Sequence, residues 1–474
     1  MRPRWLILIL LTILAFQNGY AEISFGSVND VYSYYFSVTH AETDWAIAGV
    51  YAGMLLAAPV MAWLNNSKLI AMRMATILFA LTLLLSVLFI VIAIVARRLY
   101  ILIIIGEVFN GIARALIYSL LAKFAVAWFP ESQVGTAMGS VILAGNAGGI
   151  VGAIIPGIVL KRPNENYTIN CTVKEQLKSV WMDYNQPRML AIYCPALAIT
   201  AVLFIFVLIL VPDLPPKPPT LAQAVKRLQT TSANLTDNFF SATKKLFGEI
   251  RFVLVIVISG FVGRAYVVEA SMLTELIREF SNLSTIEIAP NILGGYALTL
   301  CLAGWVLGTI SGGKLLDKWK NYKFLFSTSS IATFLGCVGL ALSVYFSSYS
   351  ALCLTIFFFG WTFGINLITS YEIATQETYP MDELFVTLWL NGGQGAISMI
   401  AAGLARVMLN HLGGAAMLIT QSATIAISFG LSLLLRLRYK RLNFSRGENY
   451  AGNNEHADEV SSVDEQTALL IRDS

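Results

Sequence analysis

Ionised side chains are scarce in this chain. Of its 474 residues only 13% are Asp, Glu, Lys or Arg, while 57% are apolar. A soluble domain carries about 25% charged residues. The deficit excludes an ordinary soluble protein and implies an all-α polytopic membrane protein whose working unit is its helix bundle. Cysteines are few: Cys171, Cys194, Cys301, Cys337 and Cys353 form no metal-ligand cluster, so no metal and no other cofactor is expected. All but Cys171 fall in or beside apolar stretches, where a thiol packs as a small hydrophobe. A Cys171–Cys194 disulfide stays open, with little to support it. There is no P-loop, no HExxH and no nucleophile elbow. ATP-driven pumping and hydrolysis therefore find no support, and the chain is not read as an enzyme. The net charge of +4 says little about partners, because Lys and Arg sit mostly between the apolar stretches. The partners expected are a small-molecule substrate and the lipid bilayer, not nucleic acid, and the chain is read as a monomer.

What is present is a series of apolar windows of about 20 residues, each long enough to cross a bilayer. They lie near 5–28, 43–64, 72–96, 99–128, 134–160, 189–211, 251–278, 291–311, 324–345, 351–375, 385–409 and 415–436, which makes twelve spans. A polar segment from Pro212 to Glu249 separates the sixth from the seventh. It opens with Pro212, Pro215, Pro216, Pro218 and Pro219 and then reads as a short amphipathic helix. The layout is a first six-helix half (1–211), a cytosolic linker (212–250), a second six-helix half (251–436) and a disordered cytosolic tail (437–474). The N-terminus, with Arg2 and Arg4 ahead of Trp5 to Phe16, looks like a signal peptide. It has no small-x-small cleavage site, and apolar character resumes past Gln17–Gly19, so it is read as the first span.

Placing both termini in the cytosol puts most Lys and Arg on the inner side, with Arg97 and Arg98 against the trend. The sequons at Asn166 and Asn170, in the long fifth-to-sixth loop, and at Asn282 then fall outside, where glycans are added. Asn65, Asn234 and Asn443 also start sequons but fall inside. The acidic tail contains Glu465-Gln-Thr-Ala-Leu469-Leu470, an acidic dileucine of the kind read by a sorting adaptor. The membrane is accordingly either the plasma membrane or an endolysosomal one.

The few charges inside the spans carry the functional signal. Glu107, Asn110, Arg114 and Tyr118 are spaced to share one helix face in the fourth span. Ionised groups within a span face a protein interior or a water-filled path. Arg264 and Glu269 repeat the pattern in the seventh. Gln17, Asn18 and Glu22 lie in the first, and Asn366, Ser370 and Glu372 in the tenth. Arg114 is either a substrate anchor, whose planar fork matches carboxylate or phosphate, or half of an internal ion pair with Glu107 or Glu22. Arg264 poses the same alternative with Glu269 or Glu22. Glu22 is either a fixed counter-charge or a carrier of a coupled proton. Tyr118, Tyr266 and Trp361 are candidates to stack on an organic solute or to pack between helices. Gly148, Gly149, Gly152 and Gly157 suit close helix approach in the fifth span.

Between spans eight and nine stands Gly312-Gly313-Lys-Leu-Leu-Asp317-Lys318-Trp-Lys320. With the six-plus-six layout it resembles the loop motif of the major facilitator superfamily, in which an acid and basic residues latch the cytosolic side. Gly313, Asp317 and Lys318 are its gating candidates. The corresponding first-half loop, Trp63 to Lys68, lacks the acid. Ala122-Lys-Phe-Ala-Val-Ala-Trp-Phe129 leaving the fourth helix, and Glu372-Ile-Ala-Thr-Gln-Glu377-Thr-Tyr-Pro380 leaving the tenth, resemble the FLVCR-related family. Asp44-Trp45, Gly145-Asn146 and Ser24 to Asp30 fit it too, the last more like its less characterised branch. The resemblance implies the twelve-helix fold, a central cavity lined by the first, fourth, seventh and tenth helices, and a choline, ethanolamine, vitamin or heme substrate. It adds Asn146, Asn391 and Gln394 as candidate substrate contacts, and Glu372 and Glu377 as gating contacts. Interhelical hydrogen bonding is the other reading of Asn391 and Gln394. Choline-type members have a Trp where this chain has Asn18 and a Gln where it has Ala147. The two arginines favour an anionic or zwitterionic solute, whereas the resemblance favours a cationic amine. The expectation is a secondary or facilitative transporter working by alternating access, with a non-transporting receptor on the same fold as the alternative.

Overall fold

The computed structural model describes residues 3–26, 28–66, 72–97, 99–129, 131–160, 171–212, 239–280 and 290–441. Among them every regular element is a helix: α1 (Pro3–Gly26), α2 (Asn29–Phe36), α3 (His40–Asn66), α4 (Met72–Ala96), α5 (Tyr100–Trp128), α6 (Glu131–Val159) and α7 (Cys171–Leu210), then α8 (Phe239–Gly248), α9 (Ile250–Phe280), α10 (Pro290–Trp319), α11 (Tyr322–Tyr345), α12 (Tyr349–Glu377) and α13 (Glu383–Leu434). Nothing else would serve in a bilayer, where each backbone N–H and C=O must find its partner within the segment. Pro59, Pro156, Pro187 and Pro195 sit inside these helices, which packed neighbours tolerate in membrane spans.

Ten helices are long and apolar enough to span, and α8 with α9, bent by 76° at their junction, add an eleventh. The 52-residue α13 breaks at Gly413 (φ 82°, ψ 168°), in backbone that favours glycine, and so makes two crossings. The count is thus the expected twelve. α8 is the amphipathic helix foreseen in the linker.

The expected boundaries shift in two places. α7 starts well before residue 189, because its polar lead-in is rich in helix formers and is held laterally. Asp183 pairs with Arg97 at 2.9 Å, and Gln186 accepts from Arg97 Nε, which gives that exceptional arginine a local counter-charge. The same extension rules out the Cys171–Cys194 disulfide. The two residues lie on one helix about 35 Å apart along its axis, far beyond bonding reach, and Cys194 is free. The Gly312–Lys320 motif is mostly not a loop: Gly313, Asp317 and Lys318 occupy the last turns of α10. The side chains of Asp317 and Glu269 lie outside the described residues, as do Asn166, Asn170, Asn282, Glu465, Leu469 and Leu470.

Helix pairing repeats between the halves. In the first, α1 packs on α6, α5 on α3 and α4, and α4 on α7. In the second, α9 packs on α13, α12 on α10 and α11, and α11 on the last span of α13. Missing side chains permit the closest approaches. A Cβ at Gly148 would strike the Phe16 carbonyl, and one at Gly152 would lie 2.6 Å from the Tyr20 carbonyl. Gly157, expected to act likewise, has open space beside it.

The halves meet through α3 against α13 and α6 against α10. At the end of the bundle that holds both Trp5 and Leu435, a polar clasp joins them. Lys123 Nζ lies 3.4 Å from Asp382 Oδ2, Asn65 Nδ2 donates to Asp382 Oδ1 (3.2 Å), and Lys123 Nζ donates to Asn65 Oδ1 (3.1 Å). Asp382 also caps α13, accepting from the N–H groups of Leu384 (2.9 Å) and Phe385 (3.2 Å). A second cluster at this end stays within the second half. Glu377 accepts from the backbone N–H groups of Arg438 and Tyr439, while Glu249 pairs with Arg251 and Lys440. Burial pushes the Glu249 carboxyl up, but Lys440 and Arg251 outweigh it and hold it below the usual carboxylate range.

These two roles of Asp382 separate by substitution. Asp382→Asn keeps a capping oxygen and loses the ion pair, so thermal unfolding should show a cost of about 0.2–1 kcal/mol. Asp382→Ala should add a capping loss of roughly 0.5–2 kcal/mol. Lys123→Ala should match Asp382→Asn, and the double variant should cost little more than either. Full additivity would mean that Lys123 and Asp382 are not coupled.

Candidate functional site

Three adjoining cavities of decreasing size lie between the halves. Tyr266 of α9 lines all three. Arg114 and Glu22 each line two, and both line the smallest. Arg114 pairs with Glu22 across the α5–α1 contact. This settles the alternative partners: the pair is with Glu22, not Glu107. Both residues stay largely out of water, with side chains 10% and 13% exposed, so each is the other's main compensation for lost hydration. The Arg114 guanidinium carbon lies 5.9 Å from the Tyr118 ring centre and 6.0 Å from that of Trp305, within cation–π range.

The largest cavity has an aromatic wall. Tyr266 stacks on Phe363 at 5.4 Å and 7°, and Trp305 meets both edge-on at 5.0 and 4.9 Å. Tyr118 faces Tyr371 at 6.2 Å, and Tyr51 closes the side next to α3. Polar groups punctuate the wall. Gln394 donates to Ser259 Oγ (2.8 Å), Asn391 donates to Ser119 Oγ (3.1 Å), and Tyr371 donates to Asn391. Asn391 therefore joins α13 to α5 across the two halves as well as lining the cavity. The smallest cavity adds Asn18 and Asn146. Asn146 Nδ2 and Trp305 Nε1 are buried N–H donors with no partner among the described residues. Two unused donors beside a compensated ion pair leave room for a ligand with acceptor atoms.

The middle cavity is lined by Glu22, Glu107 and Tyr51. Glu107 Oε2 accepts from Asn110 Nδ2 at 3.3 Å, and Asn18 Nδ2 holds Asn110 Oδ1 at 2.5 Å. The Asn110 side chain thus braces Glu107 and lines none of the three cavities.

The match to the Major Facilitator Superfamily family model runs over residues 11–384. The chain belongs to the major facilitator superfamily. It is also similar to the choline/ethanolamine transporter FLVCR2 of Rattus norvegicus, 23% identical over 81% of this chain and 65% of the rat protein. The FLVCR1 choline/ethanolamine transporter of Mus musculus is 24% identical over 80% and 65% respectively. The chain thus spans just under two thirds of the length of these relatives. Among solved structures it superposes on the Escherichia coli fucose:proton symporter, with TM-score 0.61, 12% identity, 92% of this chain and 100% of that one. A D-xylose–proton symporter gives TM-score 0.63, 12% identity, 91% and 97%. As a superfamily member the chain is a multi-pass membrane protein, and it resembles the FLVCR-related transporters.

Against this frame two expected contacts fall elsewhere. Arg264 turns away from the three cavities toward Thr424 Oγ1 of the last span, at 3.4 Å. Trp361 faces outward at 37% exposed and donates to Ser311 Oγ (3.0 Å). Their helices are right but their faces are wrong, by the register of a 3.6-residue turn. Of the gating candidates, Lys318 is exposed, Glu372 accepts from Gln376 (2.9 Å), and Glu377 binds the segment after the last span. Trp305, Phe363, Tyr51 and Tyr371 were not anticipated. Trp305 and Tyr51 lie on the eighth and second spans, which the expected set of lining helices omitted.

The ion pair yields a double-variant test. Arg114→Ala leaves Glu22 buried without a partner, so folded surface expression should fall, by an amount equivalent to about 3–5 kcal/mol. Adding Glu22→Ala should recover much of that loss, whereas adding Glu107→Ala should not. Recovery by Glu107→Ala instead would overturn the pairing.

Proposed function

We propose that this transporter carries a small organic amine of the choline or ethanolamine type by alternating access, one six-helix half rocking on the other. The observation that carries the reading is the aromatic wall of Trp305, Tyr266, Phe363, Tyr118 and Tyr371 set beside the Glu22 carboxylate. Aromatic faces hold quaternary and primary ammonium groups, more strongly once water is excluded. The names of the FLVCR relatives support the same class. In place of the Trp that choline-type relatives have at Asn18, Trp305 and Tyr266 supply ring faces from the second half. A free anion is disfavoured, since it would have to take Arg114 from Glu22, and Arg264 does not reach the cavity. A zwitterion is the second reading, because Arg114 and Glu22 together present one charge of each sign. Heme is a poorer match to cavities of this size and lining.

Radiolabelled choline and ethanolamine uptake into cells expressing the protein tests this. Trp305→Ala should raise the half-saturating concentration roughly three- to thirtyfold, while Trp361→Phe, away from the cavity, should leave it unchanged. Saturable uptake of organic acids but of neither amine would sink the reading.

The orientation proposed with it has both termini in the cytosol and glycans at Asn166, Asn170 or Asn282. The dileucine at Leu469-Leu470, with Glu465, would be the address that draws the protein from the plasma membrane to endolysosomal membranes through a sorting adaptor. Glycosidase treatment should shift the wild-type band, and Asn166→Gln with Asn170→Gln should remove most of that shift. A shift that depends on Asn443 or Asn234 would invert the orientation.

A further inference from the structure

We propose that Glu107 is a proton-binding site, and that the carrier exchanges the proton held there for its cationic solute. The exchange rests on the amine reading above; the proton site does not. Glu107 lies within the span of α5, two turns from its start, is 1% exposed, and its Oε1 atom has no partner among the described residues. The group that does touch it, Asn110 Nδ2 at 3.3 Å, is neutral. The titratable groups around it are Glu22 and Tyr20 on α1, Tyr32 on α2, Tyr51 on α3, Tyr193 on α7 and Tyr266 on α9. Arg114, two turns along the same face of α5, is committed to Glu22.

Charge balance then decides what Glu107 can do. Glu22 and Arg114 cancel, so an ionised Glu107 would leave one uncompensated negative charge in the apolar bundle, which is strongly disfavoured. A proton on the carboxyl removes it. An organic cation in the cavities removes it equally well, because Glu107 and Glu22 line the same space and Tyr266 joins that space to the aromatic wall. The two occupants therefore compete. As the cation enters, the O–H bond of Glu107 breaks, its electron pair stays on the carboxylate and the proton leaves through cavity water. When the cation departs on the other side, a proton from water there re-forms the bond. One positive charge crosses in each direction, with no oxidant or other co-reactant.

The test uses the full chain in liposomes and has two arms. In the first, with no solute, infrared spectra are followed from pH 5 to pH 10. The wild type should show a protonated-carboxyl stretch that Glu107→Gln lacks and Glu107→Asp retains. A wild type without that band, or a Glu107→Gln protein that keeps it, overturns the proton site. In the second, choline binding is measured by calorimetry in two buffers of different ionisation enthalpy. The wild type should release about one proton per choline, with affinity falling about tenfold per pH unit below the titration of the site. Glu107→Gln should release none and bind independently of pH. Choline binding without proton release overturns the exchange and leaves the amine reading standing. The carboxyl band without choline binding overturns the amine reading and the exchange, and leaves the proton site standing.

Discussion

One ion pair sets the terms for the centre of this protein. Arg114 and Glu22 could not each sit alone in an apolar bundle, so α1 and α5 must cross where the two side chains meet. That crossing fixes the neighbours. Arg114 lies under the rings of Tyr118 and Trp305, and Trp305 sets Tyr266 and Phe363. Through Trp305, which belongs to the second half, a charge on the first half touches the wall of the opposite one. The site is shared between the two halves.

The bodies themselves are held by a different means. Helices in lipid gain little from hydrophobic association, so contact area and close backbone approach matter most. The paired helices meet where glycine leaves room, as at Gly148 and Gly152 against α1. The same pairing order recurs in both halves. Each half is therefore a packed unit, and the two units meet through α3 with α13 and α6 with α10.

Much of this was legible in the sequence because it follows from one-dimensional rules. Twelve spans follow from apolar run length, and the polar stripe of the fourth follows from helical periodicity. The Glu22–Arg114 pairing was one of two alternatives that periodicity left open, since choosing it requires knowing how α1 crosses α5. Arg264 and Trp361 were assigned to the cavity because their helices line it, but a side chain about 100° round the axis faces a different neighbour. Trp305 was overlooked for the converse reason: an aromatic in an apolar span carries no one-dimensional mark that separates packing from a binding wall. The extension of α7 to Cys171 was hidden because apolar windows report the membrane, not the helix.

Asp382 serves a cap and a clasp with one carboxylate. Oδ1 closes the first turn of α13 and also accepts from Asn65 of the opposite half, and Oδ2 faces Lys123 there. The link to Lys123 is long and partly wet; the cap is short and local. The contact with Lys123 can therefore open without unravelling the helix that bears it. A cation returning to this seam meets a carboxylate already held in place by its own backbone.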